Sequence, residues 1–166
     1  MPCYNEEAVL RQFYARTSEV IQGIPDYDFE FVFVNDGSRD ETLAIMRELR
    51  AKDARVSYVN LSRDFGKEIA MIAGIDYLQG DAAVIMDADL QDPPELIPEM
   101  IGWWEKGYDD ISAKRRSRAG ESFFKKWSSH AFYRILQHLT NIPIQPDVGD
   151  FRLLDKQCLS TASSPV

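Results

Sequence analysis

The sequence predicts an α/β fold in which a mainly parallel sheet is flanked by helices. Two observations support this prediction. Apolar runs rich in β-branched and aromatic residues recur along the chain, and stretches with helical periodicity separate them. Strands joined by helices of this length form βαβ units, which build a parallel sheet covered on both faces. The 166 residues suffice for one domain with a substantial core.

The first half of the chain alternates helix and strand twice. Residues 6–21 have apolar side chains at helical spacing, and residues 29–36 show a buried-strand pattern that ends in polar residues. Ser38 and Glu41 have the spacing of a capping box, so a helix with an apolar face is expected to follow them. A second strand is expected over residues 55–62.

The second half continues the alternation with a small-residue helix, a strand, a short helix, a shorter strand, a long amphipathic helix and a last strand. These elements are expected over residues 66–78, 81–86, 95–105, 108–115, 122–139 and 149–154, in that order. Residues 1–156 are expected to form one domain, and residues 157–166 an irregular tail. Because almost no strand precedes the polar residues that open the chain, we expect it to lack most of its first strand and to be cut short at both ends.

Composition and charge exclude several functional classes. The net charge of −8, from 19 basic and 27 acidic residues, argues against nonspecific binding to nucleic acid. No apolar run approaches the roughly 20 residues of a membrane span, and no signal peptide opens the chain. Two cysteines do not make a disulfide framework, which fits a reducing cytoplasm. A basic island over residues 114–126 interrupts the acidic chain.

The stretch "VIMDADLQDPPE" places an acidic cluster at the end of a predicted strand. If the backbone stays extended, Asp87 and Asp89 point the same way, and two close carboxylates raise each other's pKa unless a cation lies between them. Mg²⁺ binds through one or two carboxylates together with substrate phosphates. The pair therefore predicts a metal-diphosphate site. Asp92 and Glu95 are expected in a solvated loop, with Asp92 capping the helix that starts near Pro93.

A second carboxylate, Asp36 in "VNDGSRDET", also follows a strand. Ligands of such sheets bind beyond the carboxyl ends of the strands, so the clusters "NDGS", "NLSRD" and "DADLQD" should converge on one rim. Asp36 could belong simply to a strand-to-helix turn, or could also accept hydrogen bonds from a nucleobase or ribose.

Five motifs occur in an order that resembles the family-2 glycosyltransferases of GT-A fold, and among them the polyprenyl-phosphate glycosyltransferases. They are "PCYNEE", "VNDGSRDET", "SRDFGKEIAMIAGID", "MDADLQDPPE" and "GDFRLLDK". The resemblance spans residues 2–156 and implies a Rossmann-like GT-A fold. It further implies metal-dependent, inverting transfer of a sugar, with glucose expected, from a nucleotide-diphosphate donor to a polyprenyl phosphate. The donor would be UDP-glucose or GDP-mannose, and the cofactor Mg²⁺ or Mn²⁺.

The resemblance also implies roles for individual residues. The nucleotide sugar would contact Pro2, Tyr4, Asn5, Glu6, Asp36, Lys67, Asp87, Ala88 and Arg152. The metal would be held by Asp87, Asp89 and Gln91, with Asp89 as the firmer ligand. Asp150 matches the proposed catalytic base; because a phosphate nucleophile is already anionic, Asp150 would position it or balance charge instead of removing a proton. Asp64 departs from the asparagine of many relatives, at little cost because both residues tolerate turn geometry.

Partners follow from the same resemblance. Arg115 and Arg118 of the basic island would contact the acceptor phosphate, since arginine binds phosphate bidentately. A lipid acceptor requires a membrane surface nearby, and full-length relatives would act at the cytoplasmic face of the membrane. A homo-oligomer is possible, and nucleic acid is not an expected partner.

Two alternatives are left open by the sequence. The chain could be an inactive, truncated fragment of such an enzyme, or a phosphatase of the haloacid dehalogenase type, which also places a DxD pair after a parallel strand. The second is less favoured because Leu90 and Gln91 replace the usual continuation of that motif. A dinucleotide-binding domain is disfavoured by the absence of GxGxxG.

Overall fold

The computed structural model describes residues 1–114 and 148–162, and it has the predicted α/β architecture. Six strands and five α-helices alternate through most of the described residues. The strands are β1 Pro2–Cys3, β2 Phe31–Asn35, β3 Val56–Asn60, β4 Ala82–Ile85, β5 Asp110–Lys114 and β6 Val148–Asp155. The helices are α1 Leu10–Gln22, α2 Thr42–Lys52, α3 Lys67–Ile75, α4 Ile97–Trp104 and α5 Lys156–Ala162, with a 3₁₀ turn at Pro94–Leu96. The amphipathic helix predicted over residues 122–139 lies outside the described residues.

The first sheet is parallel, with the order β1-β2-β3. The register pairs Pro2 with Val34 on one side of β2, and Phe31 with Val56 on the other. All five residues of β2 are buried. A strand with neighbours on both edges and side chains buried on both faces requires a continuous apolar run, which is the pattern that "FVFVN" provides.

The second sheet has the order β4-β6-β5, and it differs from the single, mainly parallel sheet predicted. Strand β6 runs antiparallel to β4, with Ala82 opposite Asp155 and Ile85 opposite Arg152. A short apolar run shows that a strand is buried but not the direction of its neighbour, so the pattern could not reveal this pairing.

Of the described residues, 1–111 and 150–162 belong to a first compact unit, and 112–114 and 148–149 belong to a second. The core of the first unit forms where α1 covers the parallel sheet. Phe13 of α1 meets Phe33 of β2 edge to face, with ring centroids 6.4 Å apart, and the two residues are 1% and 0% exposed. Each such side chain contributes about 1.5 to 3 kcal/mol through burial.

The start of α2 corrects one prediction. The capping box of Ser38 and Glu41 does not form: the Glu41 amide donates to the Glu7 carboxylate at 2.9 Å, and the Ser38 hydroxyl accepts the Asn5 amide at 3.0 Å. The helix begins later, at Thr42, whose hydroxyl accepts the Glu6 amide at 2.8 Å. The loop after β1 therefore forms hydrogen bonds with polar groups that the sequence pattern predicted would cap the helix.

Two further elements differ from prediction for local reasons. The helix expected from residue 95 starts as a 3₁₀ turn, since Pro98 has no amide to close an α-type turn onto Pro94. The residues expected as an irregular tail instead form α5 as far as Ala162.

A hollow of about 410 Å³ lies between the two sheets. Residues of β2 and β4 both line it, and apolar side chains such as Met71 and Leu153 form much of its wall. Beside this hollow, the Glu30 carboxylate accepts the Gln79 amide at 2.7 Å. The turn before β4 is thereby attached to the residue that precedes β2 through a charged hydrogen bond.

The placement of β1 gives a prediction about the two thiols. Cys3 is 2% exposed, and burial raises the pKa of its thiol to about 12, whereas Cys158 is half-buried. Because the thiolate is the reactive form, iodoacetamide at pH 8 should alkylate Cys158 of the folded chain and spare Cys3. Unfolding in guanidinium should make both react. Mass spectrometry of peptides, with Cys3→Ser as control, measures this; equal rates in the folded chain would contradict the buried position of β1.

Candidate active site

Polar residues that follow four strands converge on a second hollow, of about 280 Å³. We call it the acidic hollow. Asp36 follows β2, Asp64 lies in the loop after β3, and Asp87 and Asp89 follow β4. The carboxyl ends of the parallel strands β2 and β3 account for the positions of Asp36 and Asp64. The described residues of its lining are Pro2, Cys3, Tyr4, Glu6, Asp36, Asp64, Lys67, Asp87, Ala88 and Asp89.

Asp36 joins two of the loops at this rim. Its side-chain oxygens accept the Phe65 amide at 2.8 Å and the Gly66 amide at 3.0 Å, and the residue is only 3% exposed. A buried carboxylate with two amide donors is well satisfied, and it fixes the loop after β3 against the end of β2. We call this arrangement the Asp36 clasp. Reading of a nucleobase by Asp36 stays a prediction.

The two loops approach each other closely beside the clasp. Gly37 has a φ of +66°, and a Cβ atom added there would lie 2.5 Å from the Asp64 amide nitrogen. Only glycine provides both the positive φ and the space for this approach. The "NDGS" turn therefore requires glycine at position 37, and the arrangement of the site depends on this turn.

The DxD turn is held by its own side chains. The Asp89 carboxylate accepts the Gln91 amide at 3.0 Å, and Leu90 between them has a φ of +65°. The Asp92 carboxylate accepts the Asp87 amide at 3.1 Å and is 4% exposed. Asp92 is therefore a buried support of the turn, and the predicted solvated position of this residue is wrong.

Lys67, the first residue of α3, forms an ion pair in the acidic hollow. Its Nζ lies 2.7 Å from Oδ2 of Asp87, and the two side chains are 39% and 31% exposed. Among the described residues of the lining, Lys67 is the only basic side chain, against the carboxylates of Glu6, Asp36, Asp64, Asp87 and Asp89.

The excess of negative charge is visible at Glu6. Burial raises the pKa of this carboxyl above its usual value, and the charges of Asp89, Asp40 and Asp87 raise it further. When neighbouring carboxylates destabilise each other's ionised form, a bound cation offsets their repulsion. The acidic hollow is therefore electrostatically suited to a divalent cation.

The donor set fits a metal that binds together with a substrate. Within residues 1–114 and 148–162, no cluster of three or more histidine, cysteine or acidic side chains is placed to hold an ion by itself. Mg²⁺ and Mn²⁺ accept one or two carboxylates when phosphate oxygens complete their shell. Asp87 and Asp89 match this requirement.

Several predicted residues lie elsewhere. The Asn5 side chain accepts the Arg39 amide at 2.9 Å and so connects loops beside the hollow. Gln91 is exposed and, like Arg152, is not among the lining residues that the structure describes. The Arg152 guanidinium lies 3.6 Å from the Asp110 carboxylate. Asp150 belongs to β6, and its catalytic role stays a prediction.

Arg115 and Arg118 lie outside the described residues, and their contact with an acceptor phosphate stays a prediction as well. The sequence analysis did not predict Cys3 in the lining, and it predicted Asp64 there only as part of the cluster "NLSRD", without a role of its own. The position of Asp64 in "NLSRD", directly after a strand, was a usable signal, since that cluster was expected at the rim.

Comparison with known proteins identifies the family of the protein that carries this site. A sequence profile of glycosyl transferase family 2 matches residues 1–161. The chain belongs to this family. The glycosyltransferase domain is 50% identical over 157 residues to the uncharacterized glycosyltransferase YkcC of Bacillus subtilis, a match covering 95% of this chain and 48% of the relative. It is 39% identical over 157 residues to the bactoprenol glucosyl transferase of Shigella phage SfV, covering 95% of this chain and 51% of the relative.

The glycosyltransferase domain thus spans about half the length of the curated relatives it matches. Its family leaves the phosphatase alternative without support. In the described part of the chain, no helix has the length and apolar character that crossing a bilayer requires.

Solved structures confirm the predicted GT-A fold. The mannosyltransferase PcManGT of Pyrobaculum calidifontis, in complex with GDP-Man and Mn²⁺, superposes with a TM-score of 0.66 at 20% identity, over 98% of this chain and 45% of that one. Glucosyl-3-phosphoglycerate synthase of Mycobacterium tuberculosis, in complex with Mn²⁺, UDP-Glc and phosphoglyceric acid, gives a TM-score of 0.61 at 21% identity, over 94% and 55%. Likeness at this identity establishes the shared fold of the glycosyltransferase domain.

Proposed function

We propose that this glycosyltransferase domain transfers glucose from UDP-glucose to a polyprenyl phosphate, with Mg²⁺ or Mn²⁺ as cofactor. The observation that carries the proposal is the acidic hollow, where the carboxylate that follows β2 lies together with Asp87 and Asp89, which follow β4. The lipid acceptor and the sugar are favoured by the 39% identical relatives, whose names specify bactoprenol and glucose.

Asp87 and Asp89 would hold the cation against the two phosphates of the donor. A bound divalent cation supplies Lewis-acid stabilisation of the nucleoside diphosphate as it leaves. The turn supported by Asp92 keeps the backbone of the pair in place, because the Asp87 amide is fixed to a buried carboxylate. The neighbouring Asp36 clasp would present a fixed acceptor to the nucleoside, as predicted for Asp36.

The acceptor side of the reaction needs little proton chemistry. The nucleophile would be a phosphate oxygen, which is anionic at neutral pH, and it would displace the diphosphate in line, with inversion at the sugar carbon. Asp150 would orient this phosphate or balance its charge, and Arg115 and Arg118 would bind it. Arg152 would approach a phosphate only after exchange of its present neighbour, Asp110. Reaction with a lipid would require a membrane surface, and we propose the cytoplasmic face, as the resemblance implies.

Calorimetric titration tests the donor and the metal together. UDP-glucose is expected to bind in the presence of Mn²⁺ and to lose most of its affinity in EDTA, because the carboxylates alone repel a diphosphate. GDP-mannose, titrated under the same conditions, is expected to bind more weakly. Binding of neither donor by a sample with the far-ultraviolet circular dichroism of a folded α/β protein would favour the inactive-fragment alternative.

A further inference from the structure

We propose that Lys67 is an exchangeable counter-ion, which occupies Asp87 in the absence of donor and moves to the donor diphosphate when it binds. Metal binding at the acidic hollow would then depend on the nucleotide. The inference deepens the proposed function and rests on it, but it concerns a contact of this chain's own residues. The direct observation is the distance of 2.7 Å between Lys67 Nζ and Asp87 Oδ2.

The ion pair can exchange because it is open to solvent. Both side chains are about a third exposed, at 39% and 31%. Ion pairs this exposed to solvent contribute little to stability. A diphosphate carries more negative charge than one carboxylate, so it can compete for the lysine ammonium group.

The backbone beneath Lys67 is fixed while its side chain is long. The preceding residue, Gly66, donates its amide to Asp36 and also to the Asp64 carboxylate, both at 3.0 Å. The start of α3 is therefore attached to the rim of the hollow. From this anchored position, the four-carbon stem of lysine allows the ammonium group to reach different partners by rotamer change.

Two consequences follow for metal binding. Without donor, a divalent cation must displace the ammonium group from Asp87, so Mn²⁺ alone binds weakly. With a diphosphate bound, Lys67 moves to a phosphate, and Asp87 is released for the cation. Because linkage is reciprocal, Mn²⁺ and the nucleotide strengthen each other's binding through Lys67, in addition to direct contact between the cation and the phosphates.

The substitution Lys67→Gln tests both consequences, because it should strengthen the binding of Mn²⁺ alone and weaken the binding of UDP with Mn²⁺. It removes the charge at nearly the same side-chain length. We expect Mn²⁺ alone to bind about fivefold or more tightly than in the wild type, and UDP in the presence of Mn²⁺ to bind more weakly. The ratio of Mn²⁺ affinities with and without UDP should fall accordingly. Electron paramagnetic resonance of free Mn²⁺ gives the affinities, and circular dichroism verifies folding.

Two matched variants control the charge and the location. Lys67→Arg keeps the cation and should leave Mn²⁺ alone as weakly bound as in the wild type. Lys52→Gln removes a lysine that pairs with Glu48 at the same distance of 2.7 Å on α2, outside the lining of the acidic hollow, and should change neither affinity.

The outcomes distinguish the two proposals. If wild-type protein binds UDP with Mn²⁺ but Lys67→Gln binds Mn²⁺ alone no more tightly, the counter-ion role is overturned and the proposed function survives. Weaker binding of Mn²⁺ alone to Lys67→Gln also overturns it, since Lys67 would then be organising Asp87 for the metal. If UDP does not bind, the transfer of Lys67 to a diphosphate and the proposed function both fail, even where Lys67→Gln takes up Mn²⁺ more tightly.

Discussion

Asp89→Asn is expected to lower kcat/KM for transfer of glucose from UDP-glucose to a polyprenyl phosphate by about a hundredfold to a thousandfold. The asparagine oxygen can still accept the Gln91 amide that Asp89 accepts at 3.0 Å, so the turn should persist. What is lost is the negative charge that would hold the cation against the diphosphate. Radiolabelled sugar transfer, measured with Mn²⁺ and a short-chain polyprenyl phosphate, gives the result.

Asp76→Asn is the matched control for this change. Asp76 is exposed at the C-terminal end of α3, about 13 Å along the helix from Lys67 at 1.5 Å per residue. The same loss of charge there should leave activity unchanged. The assay should use substrate concentrations below saturation. If Asp89→Asn then transfers sugar at a rate within twofold of the wild type, that result would contradict the metal-binding role of the DxD pair.

Gly37→Ala is expected to reduce the free energy of unfolding by about 2 to 5 kcal/mol, through a strained positive φ and overpacking. The added Cβ would lie 2.5 Å from the Asp64 amide nitrogen, and nearer still to the Arg63 carbonyl carbon. Both neighbours are backbone atoms, which cannot move aside as a flexible side chain could. The two loops would have to separate, and the Asp36 clasp would be weakened with them.

Urea unfolding followed by circular dichroism measures this loss. Gly102→Ala is the control, since Gly102 lies within α4, has nothing within 4 Å of an added Cβ, and has no positive φ. Alanine at that helical position should stabilise the protein by about 0.5 to 1 kcal/mol. Equal stabilities of Gly37→Ala and the wild type would show that the two loops do not approach as described.

The sequence predicted those parts of the site that depend on chain order and apolar pattern. Asp36, Asp87 and Asp89 each follow a buried apolar run, and the rule that ligands of α/β folds bind beyond the carboxyl ends of strands predicted their convergence. Motif order further identified the family, which the comparisons confirm. These features need only local pattern and a general rule of α/β topology.

Features that depend on contacts between distant residues could not be read in the same way. The Lys67–Asp87 ion pair joins positions 20 residues apart. Ser38 has the spacing of a helix cap, yet its hydroxyl is taken by Asn5, 33 residues away. In each case a tertiary contact competes with a local preference, and the local pattern contains no information about the competitor.

The Asp36 clasp also bears on how a ligand would be discriminated. Because two backbone amides already hold the carboxylate, it cannot rotate to follow an approaching molecule. A rigid acceptor spares the entropic penalty of becoming ordered on association. As the proposed acceptor for the nucleoside, Asp36 would therefore discriminate by rejecting molecules that do not fit its fixed position.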